Sequence, residues 1–397
     1  MEDEPRIPHQ SYARLFLRFL RFGFLAWGGP VAQIAMIKRE LVEEERWIST
    51  ERFNRALAVY QVLPGPEAHE LCVYFGMLAR GRVGAILAGL GFMLPGFVLM
   101  MALSWVYVTY GIRSPVFAAV FAPVQAAVIA LIARAVFRIG RGVVTDGWLW
   151  GIAILAGAGH LFGVHFAIML LFGGVGYLLV QRKAWVAGVA WSLVCAGSAA
   201  WWVVSLKAYM AGPSPAVPTG AAPATELAIL GSGLKAGLLT FGGAYTAIPF
   251  LRDDAVSAGW MTNEQFLDGL GLSGILPAPL IIFATFAGFF VGGGWGGVLM
   301  TVGIFLPAFS FTLLGHGLFE RIVRNERLKS FLDGVTAAVV GLIAATAVLL
   351  VRSGIRTWFE LTICAVALGV LVRWHSKLAV PVVIGCAAIA GATLYSA

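Results

Sequence analysis

RFGFLAWGGP, Arg21 to Pro30, and KAGLLTFGGA, Lys235 to Ala244, are two spellings of one pattern set 214 residues apart in a chain of 397. A cation, a glycine two residues on, an aromatic residue and a glycine pair recur at the same positions. The correspondence continues in step: Trp47 to Phe53 (WISTERF) is answered by Trp260 to Phe266 (WMTNEQF), and Leu63 to Pro66 (LPGP) by Leu276 to Pro279 (LPAP). Gly91 to Phe97 (GFMLPGF) is answered by Gly303 to Phe309 (GIFLPAF), the offset drifting only from 214 to 212. Landmarks in one order at one spacing mark a duplicated chain. The period is too long for a solenoid, so a whole half-domain is duplicated, which in an apolar chain is the signature of many secondary transporters.

Composition places the chain in a bilayer. With 59% hydrophobic and 12% charged residues and a mean hydropathy of +0.86, a soluble fold would leave too much apolar surface exposed. Runs such as Val83 to Tyr110, Pro115 to Ala133, Val164 to Val180, Ala184 to Leu206, Gly334 to Val351 and Leu378 to Leu394 approach or exceed the roughly 20 residues a crossing helix needs. The expected fold is an all-α polytopic membrane protein. No removable signal peptide is read at the N-terminus. Cys72, Cys195, Cys364 and Cys386 are widely spaced in apolar segments and read as packing residues, not as a disulfide or metal framework. The net charge of +8 is mostly juxtamembrane Lys and Arg and calls for no nucleic acid. Walker A, HExxH and GxSxG patterns are missing, so neither an ATP-driven pump nor an enzyme has a sequence basis, and no catalytic residue, metal or cofactor is expected.

Each half divides into matching segments, near 13–30, 54–79, 83–110, 115–138, 147–161 and 164–180, then 226–243, 266–290, 292–318, 330–351, 356–372 and 378–395. The domains expected are a first repeat, 1–183, a connecting helix and Pro/Gly/Ala linker, 184–225, and a second repeat, 226–397. If every segment crosses, the unmatched helix reverses the second repeat, giving an inverted-repeat bundle of about 13 transmembrane segments with broken helices. With a cytoplasmic N-terminus this scheme puts 15 Lys and Arg in inside turns and nine outside. It places Lys38, Arg39, Arg46, Arg52 and Arg55 outside, against the positive-inside rule. A short re-entrant first segment would return that loop to the inside.

Breaks in membrane helices free amides and carbonyls that only protein, water or a bound ion can satisfy, so breaks in matching places point to a site. Gly28-Gly29-Pro30 matches Gly242-Gly243-Ala244, and Pro64-Gly65-Pro66 matches Pro277-Ala278-Pro279. Pro66 and Pro279 suit the first position of a new half-helix, whose amides and dipole attract an anion. Arg21 and Lys235 share a repeat position and are the expected cationic partners of that anion. The alternative for both is snorkelling to the headgroups. Glu67, His69 and Glu70 follow the first break and have no ionisable copies, which makes them the proton-coupling candidates. Glu67 can equally serve as a dipole partner in a first helical turn. His316 reads as a packed histidine.

The GGP element, Pro64 to Ala68 (PGPEA) and their degenerate copies Gly242-Gly243 and Pro277-Ala278-Pro279 resemble the two-domain form of the chromate ion transporter family. The resemblance runs from about Phe16 to Val340. It implies export of chromate across a bacterial inner membrane, conferring resistance. Sulfate or another tetrahedral oxyanion is the nearer alternative; an intramembrane enzyme or receptor is the remote one. Expected partners are the oxyanion and membrane lipid, with a homodimer open to the chain.

Overall fold

The computed structural model describes residues 7–8, 10–61, 63–111, 114–211, 224–241, 243–315, 325–374 and 376–396. Gly242, His316 and most of the linker lie outside the described residues. Among those described, all regular structure is helical. The order is α1 (Tyr12–Phe24), α2 (Pro30–Lys38, continued by a π-helical turn, Arg39–Glu44), α3 (Thr50–Tyr60), α4 (Glu67–Val106) and α5 (Pro115–Val143). There follow α6 (Gly147–Leu161), α7 (Phe166–Gln181), α8 (Trp185–Ala211) and α9 (Glu226–Leu238). A 3-10 turn, Ala244–Thr246, leads into α10 (Ala247–Ser257), and α11 is Asn263–Gly274. A second turn, Leu280–Ile282, precedes α12 (Phe283–Gly315), followed by α13 (Glu326–Gly354), α14 (Trp358–Arg373) and α15 (Ala379–Ser396).

Among the described residues, five helical stretches are long and apolar enough to cross a membrane: 67–111, 115–143, 185–205, 280–314 and 326–354. Two of them contain a reversal. At Arg80-Gly81 the backbone leaves helical geometry, with Gly81 at φ 62°, ψ −152°, and Gly292-Gly293 repeats the bend with Gly293 at φ 61°, ψ −155°. A side chain in that left-handed region would be strained, which is why glycine stands at both places. Beside each bend the two limbs touch: a Cβ on Gly76 would fall 2.3 Å from the Gly84 carbonyl oxygen, and one on Gly288 would fall 2.3 Å from that of Gly296. α4 and α12 are therefore each a short limb and a long limb, divided where the sequence segments divide.

The other short helices explain themselves by length. α1 has 13 residues and α3 has 11, so each spans roughly 16–20 Å, about half a hydrocarbon layer. They fold back instead of continuing. Glu40, at the end of α2, pairs with Arg21 and with Arg18 (3.5 Å), and Glu45 pairs with Arg18. Residues 40–45 thus return along α1, so that residues 12–44 form one hairpin of short helices and residues 50–79 a second, where single crossings were expected at 13–30 and 54–79. In the second hairpin, Phe53 of α3 stacks on Phe75 of α4 (6.4 Å between centres) and Arg52 Nε donates to the Tyr74 hydroxyl (3.2 Å). Arg80, at the bend of α4, lies over Tyr12 at the start of α1 (4.2 Å). All the open ends of the first half consequently share one level.

The second half repeats this. Lys235 of α9 pairs with Asp254 of α10, and the Phe286 ring of α12 lies on Gly269 of α11. Matching contacts recur to the residue: Gly23 abuts the Phe92 carbonyl as Gly237 abuts that of Ile304, and Gly91 packs on Phe16 and Leu20 as Gly303 packs on Leu230 and Leu234. The long limb of α4 starts at its own half's open ends and passes Ala278 at Gly96. It ends with Met101 on Gly297 and Tyr107 against Phe286 (5.1 Å) and Phe290 (6.5 Å), beside the bend of α12.

By contacts the chain forms two compact units, Met1–Leu131 with Pro223–Glu320 and Ser353–Ala397, and Ile132–Ala222 with Arg321–Arg352. The hairpins all belong to the first. Within the second, α13 meets α6 and α7 at glycine pairs, Gly341 with Gly157 and Gly334 with Gly173, the close approach that small residues permit between membrane helices.

Candidate functional site

Four breaks form the tips of the four hairpins: residues 25–29, 61–66, 239–243 and 275–279. The Gly65 amide donates to the Thr240 carbonyl (2.8 Å), joining the second tip to the third. Gly65 also lies against Ala308, and Ala278 against Gly96. Ala308 is the copy of Gly96 and Ala278 that of Gly65, so the contact is reciprocal, as at a twofold axis.

The outer and inner ends of these helices are capped differently. At the outer ends, Ser11, Ser49, Thr225 and Thr262 accept hydrogen bonds from the amides of Arg14, Arg52, Ala228 and Gln265 at 3.2–3.3 Å. At the tips, the N-caps of the returning helices are Gly29, Pro66, Gly243 and Pro279, and none has a side-chain cap. Gly29 and Gly243 sit at φ 80° and 115°, with no atom within 4 Å of where a side chain would begin. Among the described residues these four N-termini thus lack a side-chain N-cap, and three of them carry no acid in the first turn, the exception being α4 with Glu67 and Glu70; uncapped N-terminal amides and dipoles are the electrostatics an anion needs.

The expected cations are occupied. Arg21 is paired with Glu40, and Lys235 with Asp254, each one or two turns from its tip. Sequence reasoning passed over Lys377 as an ordinary turn residue. Its backbone stands against the first tip: a Cβ on Gly28 would fall 2.6 Å from the Lys377 Cα. Lys377 is exposed and forms no salt bridge among the described residues.

Of the ionisable group after the first PGP break, Glu67 opens α4 and is 8% exposed, while His69 and Glu70 are fully buried. The His69 ring lies between Phe305 (4.9 Å) and Phe309 (4.8 Å), both from the other half, with the Gly89 backbone alongside. The Glu70 carboxylate packs on Gly65, where a Cβ would be 2.9 Å from its Oε1, and neither oxygen has a hydrogen-bond partner among the described residues.

Asp268 was also missed. It sits on α11 at the repeat position of Arg55 and is 6% exposed; it accepts from the Tyr107 hydroxyl (2.6 Å) and from Gln125 Nε2 (2.8 Å). A single acid in the otherwise apolar stretch 266–290 was the available signal.

A duplicated, all-helical, multi-pass membrane protein with an anion-suited junction of broken helices is the class that these features define. The chain belongs to the chromate transporter family, which matches it twice, over residues 13–179 and 227–392. A chromate transport protein of Pseudomonas aeruginosa is 55% identical over 392 residues, covering 97% of this chain and 92% of that one. A probable chromate transport protein of Synechococcus elongatus is 32% identical (98% and 97% covered), and a chromate transport protein of Cupriavidus metallidurans 30% (98% and 94%). No solved structure matches the chain. Family membership points to a transporter and not an enzyme.

Proposed function

We propose that the protein exports chromate from the cytoplasm across the bacterial inner membrane, and that the oxyanion is held where the four tips meet. The observation that carries this reading is the set of returning helices whose N-termini lack side-chain caps at matched glycine and proline breaks. The binding elements are Gly28, Gly29, Pro64, Gly65, Pro66, Gly242, Gly243, Pro277 and Pro279, with Lys377 as a cation beside the first tip. Arg21 and Lys235 add positive potential near the tips and engage the dianion when released from their carboxylates. The halves are inverted: the long limb of α4 runs from one set of open ends, past the tips, to the bend of α12. The open ends of the first half carry Arg14, Lys38, Arg39, Arg46, Arg52, Arg55, Arg80 and Arg82, and those of the second carry Arg252. The first half's ends are therefore cytoplasmic.

Outward movement of a divalent anion from a cell negative inside releases about 2.3 kcal/mol per charge per 100 mV. Glu67, His69 and Glu70 supply proton coupling. A carboxylate at a tip repels the dianion when ionised and admits it when protonated, tying export to an inward proton. Purified protein in liposomes, assayed for labelled chromate and sulfate flux with imposed pH and voltage gradients, tests this. Chromate flux stimulated by either gradient is expected; flux of sulfate with none of chromate overturns it. Glu67→Gln should abolish pH-gradient stimulation while sparing chromate-for-chromate exchange. Full stimulation in that variant would assign the proton to Glu70, His69 or another route.

A further inference from the structure

We propose that Arg21–Glu40 and Lys235–Asp254 are matched latches that control access to the tip site, one on each side of the membrane. The two pairs are copies. Arg21 and Lys235 are 214 residues apart, as are Glu40 and Asp254, and each cation lies 19 residues before its acid. Duplication has thus preserved the pairing while changing both chemical identities, Arg to Lys and Glu to Asp. What is common is a charge on the inward helix facing an opposite charge on the returning helix.

That placement has a mechanical meaning. Each pair ties together the two helices of the first hairpin in its half, α1 to α2 and α9 to α10. The first hairpin ends in a glycine pair with positive φ, Gly28-Gly29, and the other has Gly243 at positive φ, backbone that glycine alone turns through freely, so the ion pair helps decide whether the limbs stay together. The side chains are partly accessible, Arg21 56% and Glu40 17%, Lys235 31% and Asp254 23%, as a pair that must open requires. A dianion arriving at the tips competes with the carboxylate for the cation, so substrate itself loosens the latch. The two latches are unequal. Arg18 reinforces the first by pairing with Glu40 (3.5 Å) and Glu45, whereas its copy is Ser232 and that of Glu45 is Gly259.

This inference rests on the tip-site reading and is tested separately from it. Val31→Cys and Tyr245→Cys, matching positions two residues past each tip, are introduced singly into a chain whose four cysteines are replaced by alanine. Membrane-impermeant thiol reagent is applied to right-side-out and inside-out vesicles. Glu40→Gln should raise cytoplasmic labelling at Val31→Cys several-fold and leave Tyr245→Cys unchanged. Asp254→Asn should do the reverse from the other face. The charge-swapped doubles, Arg21→Glu with Glu40→Arg and Lys235→Asp with Asp254→Lys, should return labelling toward wild type, which a misfolded protein would not. Labelling unchanged by either neutral variant, or raised equally at both positions, overturns the latches, as does a swap that leaves labelling high. If chromate fails to slow labelling of the otherwise unaltered Val31→Cys and Tyr245→Cys proteins, the tip-site reading fails instead.

Discussion

Lys377 and Asp268 are the two residues whose chemistry depends most on where the fold puts them. Lys377 stands at the first break with no carboxylate paired to it among the described residues, so its removal should weaken chromate binding without unfolding the protein. Lys377→Gln is expected to raise the KM for chromate about tenfold, corresponding to roughly 1.4 kcal/mol, and Lys377→Arg should retain most affinity; flux in liposomes measures both. Asp268 is held by Tyr107 and Gln125, drawn from two helices of the other half. A hydrogen bond to a charged, buried group is worth about 1.5–3 kcal/mol, so Tyr107→Phe should lower the melting temperature in detergent by several degrees. A melting curve identical to wild type would remove Asp268 as a clamp between the halves. Arg21 and Lys235 were legible in the sequence as matched cations. Their carboxylate partners were not, because an acid 19 residues away on a polar loop gives no sign that the chain returns.

At the scale of the element, what matters is how a chain too short to cross still satisfies its backbone. A helix of 11 or 13 residues can reach only the middle of the bilayer, and a hairpin solves this by placing its side-chain caps at the open ends and its uncapped amides at the tip. The bends that separate short from long limbs depend on glycine in two ways. Gly81→Ala forces an L residue into left-handed geometry and should cost about 1–2 kcal/mol, a reduced melting temperature with flux retained. Gly76→Leu puts a side chain into the Gly84 carbonyl 2.3 Å away and should abolish the folded protein altogether, as judged by monodisperse elution in detergent. A monodisperse, active Gly76→Leu protein would show that the limbs of α4 separate freely. The division of both long segments at 80–82 and 291–293 was readable from glycine and charge, since apolar runs stop there.

For the whole molecule the sharpest expectation is topological. Hairpins return the chain to its own side, so Glu43→Cys should react with impermeant reagent from the cytoplasm and Ala258→Cys from the opposite face. A chain in which every segment crosses makes the reverse assignment for both, and that labelling pattern would sink the hairpin topology. The cations of residues 38–55 fit the positive-inside rule once they share a side with Arg80 and Arg82.

Read alone, the chain determined that it is duplicated, helical and membrane-embedded, and that its matched Gly and Pro breaks are the places to look. Periodicity, composition and a constant offset are local properties, written residue by residue. Whether a helix after a break goes on or comes back is not local: it is decided by ion pairs and ring contacts between residues far apart in sequence, Arg18 with Glu45 or Phe53 with Phe75. The same holds for His69 between Phe305 and Phe309, Lys377 against Gly28 and Asp268 beneath Tyr107, pairings that arise only when the two halves pack and their tips are brought to one level.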